Sequence, residues 1–278
     1  MFISYLLGFF VFVLGLCIGS FLNCVIYRLE QEKSLKGRSF CPHCKHALSW
    51  QDLFPVFSFL FLLGKCRYCR AKISIQYPLV EIATGLIFLL IFSAQGANAL
   101  GRPASGVGPA EGWNFLYTGL LFYVASALII IFVYDLKHYL IPDKILFPAI
   151  VTTFLYRLFG IWDLGFGNSA GFSNFILAAI IASGFFFIIW LVSGGKWMGF
   201  GDVKLAVLMG FLLGLPNVLV ALFLAFFFGA IIGLILMVFN KKSLKSEIPF
   251  GPFLIVGTFL AMTWGSQIIH WYLNFFKI

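Results

Sequence analysis

Long runs without a charged residue constrain this chain more than any other feature. Positions 1–27, 112–134, 164–195, 205–240 and 248–276 carry none. A helix needs roughly 20 apolar residues to cross a bilayer, and a soluble core has no room for so many stretches of that length. Only 10% of the residues are charged, against about 25% in a soluble domain. The chain therefore reads as an all-α polytopic membrane protein. The run 205–240 is too long for one helix, and Gly214-Leu215-Pro216-Asn217 divides it. Eight transmembrane helices are expected, at about 2–26, 77–97, 114–134, 143–160, 172–193, 203–214, 217–239 and 250–275. The first run lacks a charged n-region and a small-residue cleavage site, so it reads as a retained helix and not a signal peptide.

Lysine and arginine set the orientation. Nine of the nineteen fall within 28–72, and Lys137, Lys144, Lys196, Lys204, Lys241, Lys242 and Lys245 lie in alternate later connections. Only Arg102, Arg157 and Lys277 fall near the opposite ends. That asymmetry places the 28–76 loop in the cytoplasm. Anionic lipid headgroups suffice as partners for the net charge of +9, and no nucleic acid is needed to explain it. The chain then divides into a first helix (1–27), the cytoplasmic loop (28–76) and a helical bundle (77–278). The stretch 96–113, rich in Gly, Ala and Pro, reads as a flexible external linker. Gly8, Gly15, Gly19, Gly229 and Gly233 are read as small-residue helix contacts.

The loop contains two C-x-x-C pairs, Cys41/Cys44 and Cys66/Cys69. Each pair places two thiolates on one turn, and two turns close a tetrahedral S4 shell around zinc. Structural disulfides are disfavoured in the cytoplasm, so metal is the better reading. His43 and His46 are alternative ligands, but four thiols already complete a closed, structural site. Cys17 and Cys24 fall within the first helix and read as packing residues.

Ten acidic residues occur in the whole chain. Glu81, Asp135, Asp143 and Asp202 fall in or beside the bundle, on the cytoplasmic side. Asp135 follows a long apolar helix, Asp143 begins the next one after Pro142, and Asp202 follows Gly199-Phe200-Gly201. Two close carboxylates cannot both ionise cheaply and share a proton. The charged member then activates water while the neutral one donates to the carbonyl under attack. Glycines beside Asp202 let an extended substrate approach the backbone. Asp135 has Lys137 or His138 as alternative partners, and Asp202 has Lys204. Intramembrane carboxylates also serve proton-coupled transporters, so peptidase and transporter both remain open on these residues. A non-enzymatic zinc-loop scaffold is a third reading.

The ordered blocks "GSFLNCVIYRL" (19–29), "CPHC" (41–44), "GKCRYC" (64–69), "ISIQYPLVE" (73–81), "DLKHYLIPD" (135–143), "MGFGDVKL" (198–205) and "IPFGPFL" (248–254) extend over nearly the whole chain. Together they resemble the bacterial type IV prepilin peptidases, which are GxGD-class membrane aspartic proteases and N-methyltransferases. The resemblance implies removal of a basic leader from prepilins or pseudopilins of type IV pilus or type II secretion systems. Methylation of the new N-terminus by S-adenosylmethionine would follow. By motif position it implies Asp135 and Asp202 as the catalytic pair, with Asp143, Gly199, Gly201 and Lys204 supporting. The four-cysteine loop would serve methylation and hold zinc. Gly199-x-Gly201 lacks the preceding strand of a nucleotide-binding fingerprint, so S-adenosylmethionine is expected elsewhere, near Gly64, Lys65 and Glu81.

Overall fold

The computed structural model describes residues 2–100, 115–163, 169–239 and 248–275. These are nearly all helical: α1 (Phe2–Glu30), a 3-10 turn (Trp50–Leu53), α2 (Phe57–Phe61), α3 (Gln76–Leu100), α4 (Phe115–His138), α5 (Asp143–Asp163), α6 (Ser169–Ser193), α7 (Phe200–Leu213), α8 (Asn217–Val238) and α9 (Gly251–Phe275). Each of the eight expected helices forms, and the break at 214–216 separates α7 from α8. The expected linker at 96–113 is helical through Leu100, and the rest of it lies outside the described residues. Arg102, Lys241, Lys242, Lys245 and Lys277 lie outside them too.

Eight helices form, but length and composition by themselves mark fewer of them as membrane spans. Among the described residues six helices are long and apolar enough to cross a membrane: α1, α3, α4, α6, α8 and α9. The 14 residues of α7 span about 21 Å at 1.5 Å per residue, short of a hydrocarbon core of roughly 30 Å. α5 carries Asp143, Lys144, Arg157 and Asp163. The two helices support each other instead. Arg157 Nε and Nη2 donate to the carbonyls of Phe211 and Leu212 at 3.2 and 2.8 Å, and its guanidinium sits 3.8 Å from the Phe175 ring centre. The orphan carbonyls at the end of α7 are thereby satisfied by protein, as a helix end without water requires.

The chain divides into two compact units, Met1–Ile130 and Ile131–Ile278. Lipid is as apolar as leucine, so helices in a bilayer associate through close packing of small residues. In the first unit α1 lies on α3 along such a seam. A Cβ on Gly15 would fall 2.7 Å from Gly85 Cα, and one on Gly19 would fall 2.6 Å from Glu81 Cα. In the second unit Gly210 of α7 abuts the backbone of Ala179 in α6, and Gly257 of α9 abuts the Ala221 carbonyl in α8. Gly229 and Gly233 do not form the expected contact. A Cβ at Gly229 would meet only ring atoms at 3.6 Å or more, and one at Gly233 would meet nothing within 4 Å.

Candidate active site and metal centre

The second unit holds the three aspartates. Gly199 is the N-cap of α7 and has no side chain with which to cap it. Asp202, three residues on, bonds back to the cap residue: its carboxylate accepts the Gly199 N–H, while its own N–H donates to the Gly199 carbonyl at 3.2 Å. This is half of a capping box, with a negative group set at the positive end of the helix. Gly201 packs tightly, since a Cβ there would lie 3.0 Å from Ile141 Cβ.

Asp135 sits in the last turn of α4, the unfavourable end of a helix for an anion. Its compensation comes from another element. The carboxylate accepts the N–H of Gly251, the first residue of α9. A Cβ on Gly251 would fall 2.5 Å from Asp135 Oδ2 and 3.5 Å from Ile141 Cδ1. Ile141 thus touches both Gly201 and Gly251, and the 135–143 segment is wedged between the starts of α7 and α9. Tyr139, with φ of +56°, turns the chain there, and its N–H returns to the Asp135 carbonyl at 2.9 Å. Asp135 and Asp202 are 4% and 7% exposed, and the charge of Asp135 is felt at Asp202. Such a pair, each member held by a backbone N–H at a helix N-terminus, has the parts to activate water and polarise a carbonyl.

Asp143 stands apart from that pair. Lys204, a candidate partner of Asp202, instead places its ammonium 2.8 Å from both oxygens of Asp143. The side chain of Asp143 is half exposed. The ion pair ties the start of α5 to α7 and leaves Asp202 without an adjacent cation from that lysine.

The first unit holds the cysteines. Cys41, Cys44, Cys66 and Cys69 present four Sγ atoms within 4.8 Å of one another, and the Cys41–Cys69 pair is at 3.9 Å. A tetrahedron of roughly 2.3 Å Zn–S bonds has edges of about 3.8 Å. The two turns have the same backbone. Cys41 N–H donates to the His46 carbonyl and Lys45 N–H to the Cys41 carbonyl; Cys66 N–H donates to the Ala71 carbonyl and Arg70 N–H to the Cys66 carbonyl. An isolated β-bridge closes each turn, Phe40 with Ala47 and Lys65 with Lys72, and Lys45 and Arg70 both have φ near +60°. Four thiols so close cannot all ionise by themselves. Burial pushes Cys41 up, but N–H groups of Cys44 and His43 and the neighbouring thiols outweigh it and bring it down to about 7. At Cys69 the Ala71 N–H draws the thiol down, and burial with the other three thiols overrides it to about 11. A divalent cation removes that conflict, so the donor set fits a metal. The cluster forms without His43 and His46, whose ring (His46) lies 3.7 Å from that of Tyr68. Cys24 accepts from the Ser39 hydroxyl at 3.8 Å, whereas Cys17 is exposed and is not the packing residue expected.

Glu81, Gly64 and Lys65 have separate local tasks. Glu81 is buried and accepts the Val56 N–H at 2.7 Å and a bond from Ser20. Gly64, with φ of +68°, donates to the Phe59 carbonyl, and Lys65 opens the second cysteine turn.

Three residues escaped the sequence reading. Gly251 lies in the block 248–254, where a glycine between Pro249 and Pro252 was the available signal. Arg28 was counted only as a cytoplasmic charge, yet it is 5% exposed. Its guanidinium gathers the carbonyls of Ser34, Leu35, Lys36, Gly37 and Arg38, folding the start of the loop around one side chain. Asp52 accepts from the Ser49 N–H and hydroxyl, Arg67 Nε and the Tyr68 hydroxyl. Burial pushes its carboxyl up, but these donors prevail and hold it down to about 2. It is ionised at any physiological pH and ties the 3-10 turn to the second cysteine pair.

Residues 13–94 match the family model of the bacterial peptidase A24 N-terminal domain, and residues 122–234 match that of the type IV leader peptidase family. A prepilin leader peptidase/N-methyltransferase of Aeromonas hydrophila is 33% identical over 298 residues, covering 96% of this chain and 93% of its own. One from Bacillus subtilis is 31% identical over 268 residues, covering 95% and 97%. One from Pseudomonas aeruginosa is 30% identical over 294 residues, covering 95% and 92%. No solved structure matches.

Proposed function

The chain belongs to the type IV leader peptidase family, and from that premise we propose that it removes the basic leader from type IV prepilins or pseudopilins and then methylates the new N-terminus. It is an enzyme, a membrane peptidase with N-methyltransferase activity. The cut falls at the cytoplasmic face of the inner membrane, where the excess of Lys and Arg in 28–72 orients the chain. The substrate's apolar N-terminal helix lies in the same bilayer, and its binding there positions the scissile bond at the headgroup level.

Asp135 and Asp202 carry the cleavage. The ionised member takes a proton from water as the water attacks the scissile carbonyl, and the neutral member donates to the developing oxyanion. The proton then passes to the leaving amine. Gly251 and Gly199, through their N–H groups, hold the carboxylates in place. The observation that supports this reading is the pairing of two buried carboxylates at the N-termini of two helices, α7 and α9, within one unit. A proton-coupled transporter would place such groups at broken helices near the bilayer midplane. Asp135 and Asp202 lie at helix ends, and family membership favours the peptidase.

Cys41, Cys44, Cys66 and Cys69 would hold zinc as a closed, four-thiolate structural site that staples the two turns. S-adenosylmethionine would supply a methyl group on a sulfonium, open to attack by the freed amine of the product. Glu81 is already engaged by Val56 and Ser20, so its part is to seat the loop on α3, and Gly64 and Lys65 remain the candidates beside it.

Mass spectrometry of a pilin co-expressed with the enzyme tests both activities at once, because it reports leader loss and methyl addition separately. Asp135→Asn and Asp202→Asn are each expected to leave the full-length precursor. Near-normal cleavage by either variant would overturn the dyad.

A further inference from the structure

The cytoplasmic loop has an uncharged centre, residues 53–64, and the structure turns that centre outward. Trp50, Phe54, Phe57, Leu60, Phe61 and Leu63 are exposed, the last two by more than four fifths. A soluble loop with this much apolar surface would be an aggregation hazard. The two turns that bracket it are basic, with Lys45 before it and Lys65, Arg67, Arg70 and Lys72 after it, all exposed.

The depth of this surface follows from one hydrogen bond. Val56, at the start of α2, donates its N–H to Glu81 at 2.7 Å. Glu81 lies five residues inside the candidate span Gln76–Gln95, about 7.5 Å along the helix at 1.5 Å per residue. An amphipathic helix lying in a bilayer surface buries its apolar face roughly 5–10 Å into the headgroup–acyl boundary. The two depths coincide. The outward face of α3 is continuous in character with the loop centre: Leu79, Ile82, Leu86 and Leu90 are exposed, as is Ile75 just before the helix, whereas Val80, Phe88 and Ile91 are buried against the unit. A stripe of that kind on a membrane span faces lipid.

We propose that residues 50–63 form a membrane-embedded foot, seated in the headgroup–acyl boundary of the leaflet at the Gln76 end of α3, with phospholipid as its occupant. Exposed Trp50 then takes the interfacial position that tryptophan favours, and the flanking cations meet anionic headgroups. The foot holds the two cysteine turns at the bilayer surface. The proposal needs the Proposed function only to name the leaflet as cytoplasmic.

The test uses the full chain in vesicles of phosphatidylethanolamine and phosphatidylglycerol. p-Benzoylphenylalanine is placed at Phe61, at Leu63 and, as a solvent control, at exposed Lys36, and adducts are read by intact mass after irradiation. Phospholipid adducts at positions 61 and 63, several-fold above position 36, are expected. Equal yields at all three, or adducts at 61 and 63 to protein only, would overturn the foot. Wild-type protein gives a second measurement: brominated lipid should quench a fraction of the tryptophan fluorescence that disappears in Trp50→Phe, and an unchanged quenched fraction would also overturn it. Both readouts are indifferent to catalysis. Lipid adducts in a chain that cleaves no pilin would sink the Proposed function alone, and the reverse result would sink the foot alone.

Discussion

Asp202 shows how one side chain can serve a helix start and, in the proposed dyad, the chemistry. A glycine N-cap cannot cap its own helix, so the carboxylate at the third helical position accepts the Gly199 N–H and is fixed in orientation by doing so. Asp135 has no such local help, being at the C-terminal end of α4, and depends on Gly251 from a distant part of the chain. Gly251→Ala is therefore the most informative single substitution outside the dyad. Its Cβ would stand 2.5 Å from Asp135 Oδ2, and the carboxylate must move. A displacement on the order of 1 Å costs about 100-fold in rate. Leader cleavage should fall by about that factor, while Gly233→Ala, which meets nothing within 4 Å, should cleave as wild type. The measurement is the initial rate on a purified prepilin, and equal rates for both variants would contradict the geometry.

Among the elements, α5 with its four charged residues and the 14-residue α7 depart furthest from the hydropathy pattern, and α7 carries Asp202. α7 is held at one end by Arg157 of α5 and at the other by the Asp143–Lys204 pair. That pair is more than a third exposed on the Asp143 side, so solvent screening limits it to about 0.5 kcal/mol or less. A double-mutant cycle of Asp143→Ala and Lys204→Ala, read by thermal unfolding in detergent, should show a coupling of that size. Cleavage in each single variant should stay within about tenfold of wild type, far from the loss expected for Asp135→Asn. A loss as complete as the dyad's would mean that Asp143 takes part in the chemistry. In the loop, the two cysteine turns repeat one another in backbone bonds and in the positive φ of Lys45 and Arg70. That repeat escapes a sequence search because beyond C-x-x-C and the basic residue after it the two segments share little.

At the scale of the molecule, the two candidate sites fall in different compact units, the four thiols in Met1–Ile130 and Asp135, Asp143 and Asp202 in Ile131–Ile278. Damage to one should spare the other. Cys44→Ser is expected to lose bound zinc by elemental analysis and to reduce N-terminal methylation much more than leader cleavage. Unchanged metal content would refute the zinc site, and equal loss of both activities would refute their separation. Much of this was written in the sequence because the signals are local. Uncharged runs located most of the long helices, since hydropathy acts residue by residue, and C-x-x-C spacing marked a cluster able to hold a metal because two thiolates on one turn are adjacent by covalent geometry. Charge asymmetry and ordered motifs singled out Asp135 and Asp202, which the structure buries in one unit. Other properties had no local signal. Hydropathy could not tell six membrane-length helices from eight, because α7 is kept short and satisfied by Arg157 on another helix. Nor could it show that Lys204 answers Asp143, that Gly251 reaches Asp135, or that Glu81 accepts the Val56 N–H of the loop. Each of these is a contact between residues far apart in the chain, and only the packing of helices along their small-residue seams decides which distant groups meet.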